Sequence, residues 1–288
     1  MKVLVLGGGG QVARAVAACV PVNHTTLVKT RQELDIADEA AVTAAVADSG
    51  AAWVVNGAGY TAVDLAEDQR SQAFEINETA VGLLARAASR AGCRLLHLST
   101  DFVFDGNSSR PYLPSDAPNP LSVYGQSKFG GERRVVAQDA GGIVLRTAWV
   151  YAAQGRNFVL TMLRLMRDRE QVSVVCDQIG TPTWAAGIAA AIWGLIDVNA
   201  PGGVYHWTDL GVASWYDFAV AIQEEALARG LLRREIPITP IPSAAYPTRA
   251  RRPAFSVLDT ADTRALVKVP GQHWRHNLRT MLDELRTP

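Results

Sequence analysis

Six short apolar runs recur along the first 180 residues, and helical stretches separate them. "KVLVL" (2–6), "TTLVK" (25–29), "AWVVNGAG" (52–59), "RLLHLST" (94–100), "GGIVLRTAWVY" (141–151) and "VSVVCDQ" (172–178) each read as a strand. "QVARAVAACV" after the first, residues 68–92 before the fourth and "NFVLTMLRLMRDRE" (157–170) before the sixth have helical character. Continuous apolar runs suit strands covered on both faces. Alternated with helices, they predict an α/β fold, a doubly wound parallel sheet with helices on either side. The texture changes beyond residue 200. Tyr205, Trp207, Trp215 and Tyr216 cluster there, and residues 234–256 hold five prolines in a non-helical stretch. Such a segment is ordered by packing onto something else. The final stretch, 273–286, reads as an amphipathic helix whose His273 and His276 belong to a capped surface face rather than to a metal site.

Charge and composition remove several function classes. Lys+Arg and Asp+Glu are both 28, so nothing electrostatic favours nucleic acid or an anionic membrane as partner. Four apolar residues before the first glycine are too few for a signal-peptide core, and the apolar run 187–196 stops at Asp197, short of a membrane span. Cys19, Cys93 and Cys176 form no CxxC and sit among apolar neighbours. They read as reduced core residues of a cytoplasmic protein.

"GGGGQVA" (7–13) follows the first strand directly, as Gly7-x-x-Gly10-x-x-Ala13. Glycines here let the backbone turn tightly and approach a pyrophosphate resting on the next helix's N-terminus, although an ordinary strand-to-helix turn has the same composition. About twenty positions on, where an acidic residue would bond the adenosine ribose, stand Lys29 and Arg31. Cations there suit a 2′-phosphate and hence NADPH, with exposed loop charge as the alternative. Asp35 and Ile36 lie too far on for the ribose and flank the adenine instead.

In "VYGQSKFGGE" (123–132), Tyr124 precedes Lys128 by four positions, so on a helix the two share a face. A phenol beside an ammonium, with Ser99-Thr100 ending the strand before it, can serve a carbonyl under reduction. The alkoxide left by hydride delivery must be stabilised and protonated. On this reading the ammonium and an oxidised nicotinamide bring the phenol's pKa down toward ambient pH, and Lys128 anchors the nicotinamide ribose.

Together these motifs resemble the extended short-chain dehydrogenase/reductase superfamily, and within it the dTDP-4-dehydrorhamnose reductases. The likeness runs through "STDFVFDG" (99–106), "NPLSVYGQSKFGGE" (119–132), "LRTAWVY" (145–151), "DQIGTPT" (177–183) and "AYPTRARRPAFSVLDT" (245–260), and so spans nearly the whole chain. It implies a Rossmann-like domain over 1–148 and about 170–200, with a smaller substrate-binding lobe from 149–169 and 201–288. It implies reduction of the 4-keto group of dTDP-4-dehydro-L-rhamnose by NADPH, with NADH possible, and Thr100, Tyr124 and Lys128 as the catalytic set. Gly7, Gly10, Gln11, Val12, Lys29 and Arg31 would meet the coenzyme. So would Asp35, Ile36, Ala58, Gly59 and Tyr60, together with Tyr124 and Lys128. Thr61, Val63, Asp101, Phe102 and Trp149 would join Thr100 and Tyr124 around the sugar, while Arg252, beside Arg249 and Arg251, would face the diphosphate. Some members use a glutamate after the glycine loop in a magnesium-bridged dimer. Ala15 stands there, so no metal is carried over, and a monomer or weak homodimer is expected. Rival readings are a reductase of another nucleotide-linked 4-keto deoxysugar and a non-catalytic regulatory subunit of the same fold, like the partner of methionine adenosyltransferase. An epimerase or dehydratase fits less well, because Asp101-Phe102 replaces the dehydratases' acidic pair.

Overall fold

The computed structural model describes residues 1–138 and 141–286. Its central sheet is built from β1 (Lys2–Leu6), β2 (Thr25–Lys29), β3 (Trp53–Asn56), β4 (Arg94–Thr100), β5 (Ile143–Thr147) and β6 (Gly203–His206). The spatial order is β6-β5-β4-β3-β1-β2, and every pairing is parallel. This is the doubly wound sheet expected from the alternating runs.

Strand alternation explains the two layers. Val3, Val5, Trp53, Val55, Leu96 and Leu98 face α1 (Gln11–Ala18) and the helix Ala185–Asp197. Leu4, Leu6, Val54, Leu95 and Val144 face the other way, onto α2 (Glu39–Ser49) and α3 (Ala80–Arg90). The helical run expected over 68–92 is broken: Leu65–Asp68, Arg70–Phe74 and a π-turn at Glu75–Thr79 precede α3. Two further helices, α4 (Val123–Val136) and α5 (Phe158–Asp168), follow β4 and β5.

A third core gathers around Tyr151, Met166, Phe218 and Trp274. Here the division read from sequence needs correction. Gly203–His206, assigned to the lobe, is the sixth strand of the main sheet, paired with Ile143–Arg146. Val172–Val175, assigned to the main domain, instead pairs with Ile238–Ile241 in a separate two-stranded sheet. An apolar run announces a strand but not the sheet it joins, because the partner lies far along the chain. Pro240 is tolerated within Ile238–Ile241, in a sheet of only two strands where both are edges. Among the three cysteines only Cys93 is buried. Cys19 is exposed and Cys176 half-buried, since both stand where an element ends. His273 caps the last helix, Trp274–Glu284, its side chain accepting from the Arg275 amide.

Candidate active site

Strand order reverses between β1 and β3, and in such sheets the crevice at the strands' carboxyl ends receives ligands. Gly7 directly follows β1 with φ +78°, and a Cβ there would stand 2.6 Å from the Ala58 backbone nitrogen. Only glycine allows that conformation and that approach. Gly10 then caps α1 without any side chain over the helix's first amides, and no acidic residue sits in the first turn. Uncovered amides at the positive end of a helix suit a phosphate. The cleft before them has a volume of about 490 Å³, and its walls include Gly7, Gly10, Arg31, Asp35, Ile36, Ala58, Gly59, Tyr60 and Thr61. Bare glycine, helix N-terminus and a flanking cation fit a dinucleotide.

Three expected coenzyme residues stand apart from this cleft. Successive side chains on a helix diverge by roughly 100°, so Val12 turns into the core while Gln11 turns toward Asn157, whose Nδ2 donates to its Oε1 at 2.9 Å. Lys29 closes β2, its carbonyl accepting from the Gly8 amide, and does not line the cleft. Arg31, exposed and 3.9 Å from Asp35, is the cation that does.

Thr100 closes β4, and Tyr124 stands in the first turn of α4. Ser122 caps that helix by accepting from the Gly125 amide at 3.2 Å. Gly125 lies so close to the Phe102 carbonyl that a Cβ would overlap it, which draws the helix start onto the turn at 101–103. The result sets the Tyr124 side chain beside the end of β4 that carries Thr100. Thr100 donates to Asp101 Oδ1 at 3.0 Å and accepts from the Phe102 amide at 3.2 Å. Burial pushes the Asp101 carboxyl up to about 6. Phe102 meets the Tyr124 ring edge-on at 5.6 Å, and Val63 packs in the same cluster.

One helical turn on, Lys128 Nζ donates to the Leu98 carbonyl at 2.6 Å and lies 3.3 Å from His97 Nε2. It is also 3.8 Å from where a Cβ on Gly59 would stand, so it looks onto the cleft wall. The electrostatics correct the sequence reading. Instead of an ammonium drawing the phenol downward, burial pushes Tyr124 up to about 12 and pushes Lys128 down to about 8. Desolvation is the largest cause of both shifts, since burial penalises the charged form of each group.

Two expected substrate residues lie outside this cluster. Trp149 has φ +45° and stacks on Trp215, ring centroids 3.5 Å apart and nearly coplanar. Arg252 donates to Asp64 at 2.8 and 3.1 Å, and Arg249 pairs with Asp68. Both arginines thus strap the proline-rich segment to the helix that begins at Leu65. Asn77 was missed from sequence. Its Oδ1 accepts from the Tyr60 amide at 2.8 Å, and its Nδ2 donates to the Tyr60 carbonyl and to Ser127 Oγ, both at 3.0 Å. The π-turn brings it to both, a distortion that recurs at functional sites. A buried polar residue inside "INETA" was the available signal.

The family model described as RmlD substrate binding domain matches residues 1–287. A Burkholderia thailandensis protein named dTDP-4-dehydrorhamnose reductase is 40% identical over 295 residues, covering 99% of each chain. The chain belongs to the dTDP-4-dehydrorhamnose reductase family. Solved structures of the family agree. A reductase from Clostridium acetobutylicum matches with a TM-score of 0.93 at 35% identity, over 100% of both chains. Another from Bacillus anthracis, solved in complex with NADP, matches with a TM-score of 0.92 at 31% identity, over 98% of this chain and 99% of that one. The family resemblance carried by "STDFVFDG" and "DQIGTPT" is the one these comparisons return.

Proposed function

We propose that this chain reduces the 4-keto group of dTDP-4-dehydro-L-rhamnose to dTDP-L-rhamnose, with NADPH or NADH as coenzyme. The observation that carries the reading is the Thr100–Tyr124 hydroxyl pair beside Lys128, at the end of a strand that borders the glycine-walled cleft. When bound, the dihydronicotinamide supplies a hydride to the ketone carbon. Gly7 and Gly10 would hold its pyrophosphate, Arg31 its 2′-phosphate, and Asp35 and Ile36 its adenine side. Tyr124, and Thr100 on exchanging Asp101 for the substrate, would direct their hydroxyls at one oxygen, the ketone's. As that oxygen gains charge, Tyr124 passes its phenolic proton to it, forming the product hydroxyl and leaving a phenolate beside Lys128 that takes a proton back from solvent. At neutral pH the phenol, pushed up to about 12 by burial, keeps its proton until the ketone oxygen gains charge. Trp149 would offer an apolar face to the deoxysugar, and Arg252 would exchange Asp64 for the diphosphate.

A monomer or weak homodimer is the assembly this reading expects. Among the described residues no helix is long and apolar enough to cross a membrane. A nucleotide-sugar reductase drawing on reduced coenzyme would work in the cytoplasm.

The test is NADPH oxidation with dTDP-4-dehydrorhamnose. Tyr124→Phe is expected to lower turnover by about 10²–10⁴-fold while binding NADPH nearly as the parent does. A near-normal rate in that variant overturns the reading, and coenzyme binding by the parent without any turnover favours the regulatory alternative.

A further inference from the structure

Behind Lys128 lies a buried line of polar groups that the reduction itself does not use. Asn56 ends β3 and His97 sits in β4, both without solvent exposure. The Ala58 amide donates to Asn56 Oδ1 at 3.0 Å. Asn56 Nδ2 stands 3.0 Å from His97 Nδ1, and His97 Nε2 stands 3.3 Å from Lys128 Nζ. Lys128 completes the line by donating to the Leu98 carbonyl.

The direction of every hydrogen bond follows from its first member. An amide N–H can only donate, so Asn56 must offer it oxygen; turning the carboxamide over would set N–H against N–H. Its Nδ2 therefore donates, and His97 Nδ1 accepts. A neutral imidazole carries one proton, which must then be on Nε2, pointing at Lys128 Nζ. An ammonium has no lone pair with which to accept that N–H, whereas an amine has one. We infer that His97 is a positioning residue for Lys128: its Nε2–H, fixed by Asn56 and the Ala58 amide, favours the lysine as a neutral amine and ties its nitrogen to the loop that walls the coenzyme cleft.

The groups facing Lys128 are consistent with this. From β4 comes His97, whose burial keeps it well below the usual histidine range and so neutral. From its own helix come Tyr124, a protonated phenol, and Glu132, whose charge favours the ammonium. Desolvation opposes Glu132, and the amine is brought down to about 8. The lysine then exchanges a proton near neutrality instead of remaining a fixed cation, which suits a site where Tyr124 must recover its proton each turnover.

The inference rests on reading Lys128 as part of the reductase's catalytic set, but its test needs no substrate. ¹⁵N NMR of histidine-labelled protein without coenzyme, with the His97 signals identified by their loss in His97→Gln, reports the tautomer. The expected spectrum has His97 neutral, protonated on Nε2, with both ring nitrogens shifting as Lys128 titrates. An imidazolium, an Nδ1–H tautomer, or ring signals indifferent to Lys128 would overturn the inference. Asn56→Asp provides an independent arm. A carboxylate accepts from both the Ala58 amide and Nδ1–H, so the tautomer should reverse and leave Nε2 as an acceptor for the ammonium. The basic limb of kcat/KM should then move up by about one pH unit, a tenfold rise in proton affinity. A reversed tautomer with an unmoved limb would refute the coupling to Lys128. Loss of turnover in the parent with the expected tautomer intact would instead refute the proposed reaction.

Discussion

Trp149 is the residue whose backbone conformation most asks for a reason. A bulky side chain at φ +45° costs energy that the surroundings must offset. The stack on Trp215 and the bare face of Gly180 do so: a Cβ on Gly180 would stand 2.6 Å from the Trp149 indole. The indole therefore lies flat in a slot cut by glycine, directly after the strand that neighbours Thr100. If it presents a face to the deoxysugar, Gly180→Ala should displace it and raise KM for the nucleotide sugar by roughly tenfold or more, with NADPH affinity unchanged. Initial-rate kinetics beside a coenzyme titration separate the two. An unaltered KM would remove Trp149 from the substrate side. The same residue marks what sequence could and could not convey. "TAWVY" announced an aromatic after a strand, but the left-handed backbone and the partner Trp215 arise only once the smaller lobe has folded onto it.

At the scale of elements, α4 carries the site, and it is fastened at its middle. Glu132 accepts from Arg146 Nη2 at 2.7 Å and Nε at 2.9 Å, and from Ser99 Oγ at 2.5 Å, all buried. Arg146 lies over the Phe104 ring and 3.3 Å from His206 Nε2. Two strands thus hold one helix through a single carboxylate, which stands two turns beyond Tyr124 on the same face. Removing one partner leaves a charge buried and unpaired, so Glu132→Leu should destabilise the fold by ~3–5 kcal/mol. The double variant Glu132→Leu with Arg146→Met should lose distinctly less, because no buried charge remains. Urea unfolding of the three proteins measures the difference, and equal losses would show that packing rather than charge burial dominates. None of this was legible in "FGGERR". A glutamate beside two arginines on a helix reads as solvated, and only the fold reveals that Glu132 points inward while Arg133 and Arg134 point out.

Across the whole molecule, what sequence conveyed well was local. β1 was legible end to end because a parallel strand buried on both faces is an uninterrupted apolar run, while β2 and β4 were legible from the apolar residues at their centres. The Tyr124–Lys128 spacing was equally plain. The lobe boundary was not, since Val172–Val175 and Gly203–His206 are defined by distant partners. Nor was the polar line from Asn56 to Lys128, whose members sit in strands that otherwise look apolar. Burial of polar groups also shapes the response of the whole fold to pH. Asp209, which accepts from the Trp184 amide at 3.1 Å, is pushed up to about 7 by desolvation. Between the ordinary carboxyl value and about 7, the folded chain therefore keeps a proton there that the unfolded chain has lost. Stability contributed by this group is full at low pH and falls as pH rises through that window. Asp101, pushed up to about 6, acts in the same sense. Asparagine does not titrate, so Asp209→Asn should become more stable relative to the parent as pH rises. The relative gain between about pH 4 and pH 8 should reach ~2–4 kcal/mol. Denaturant unfolding at several pH values checks this directly. Parallel stability curves for the two proteins would mean that Asp209 titrates alike in both states and that its burial carries no such cost.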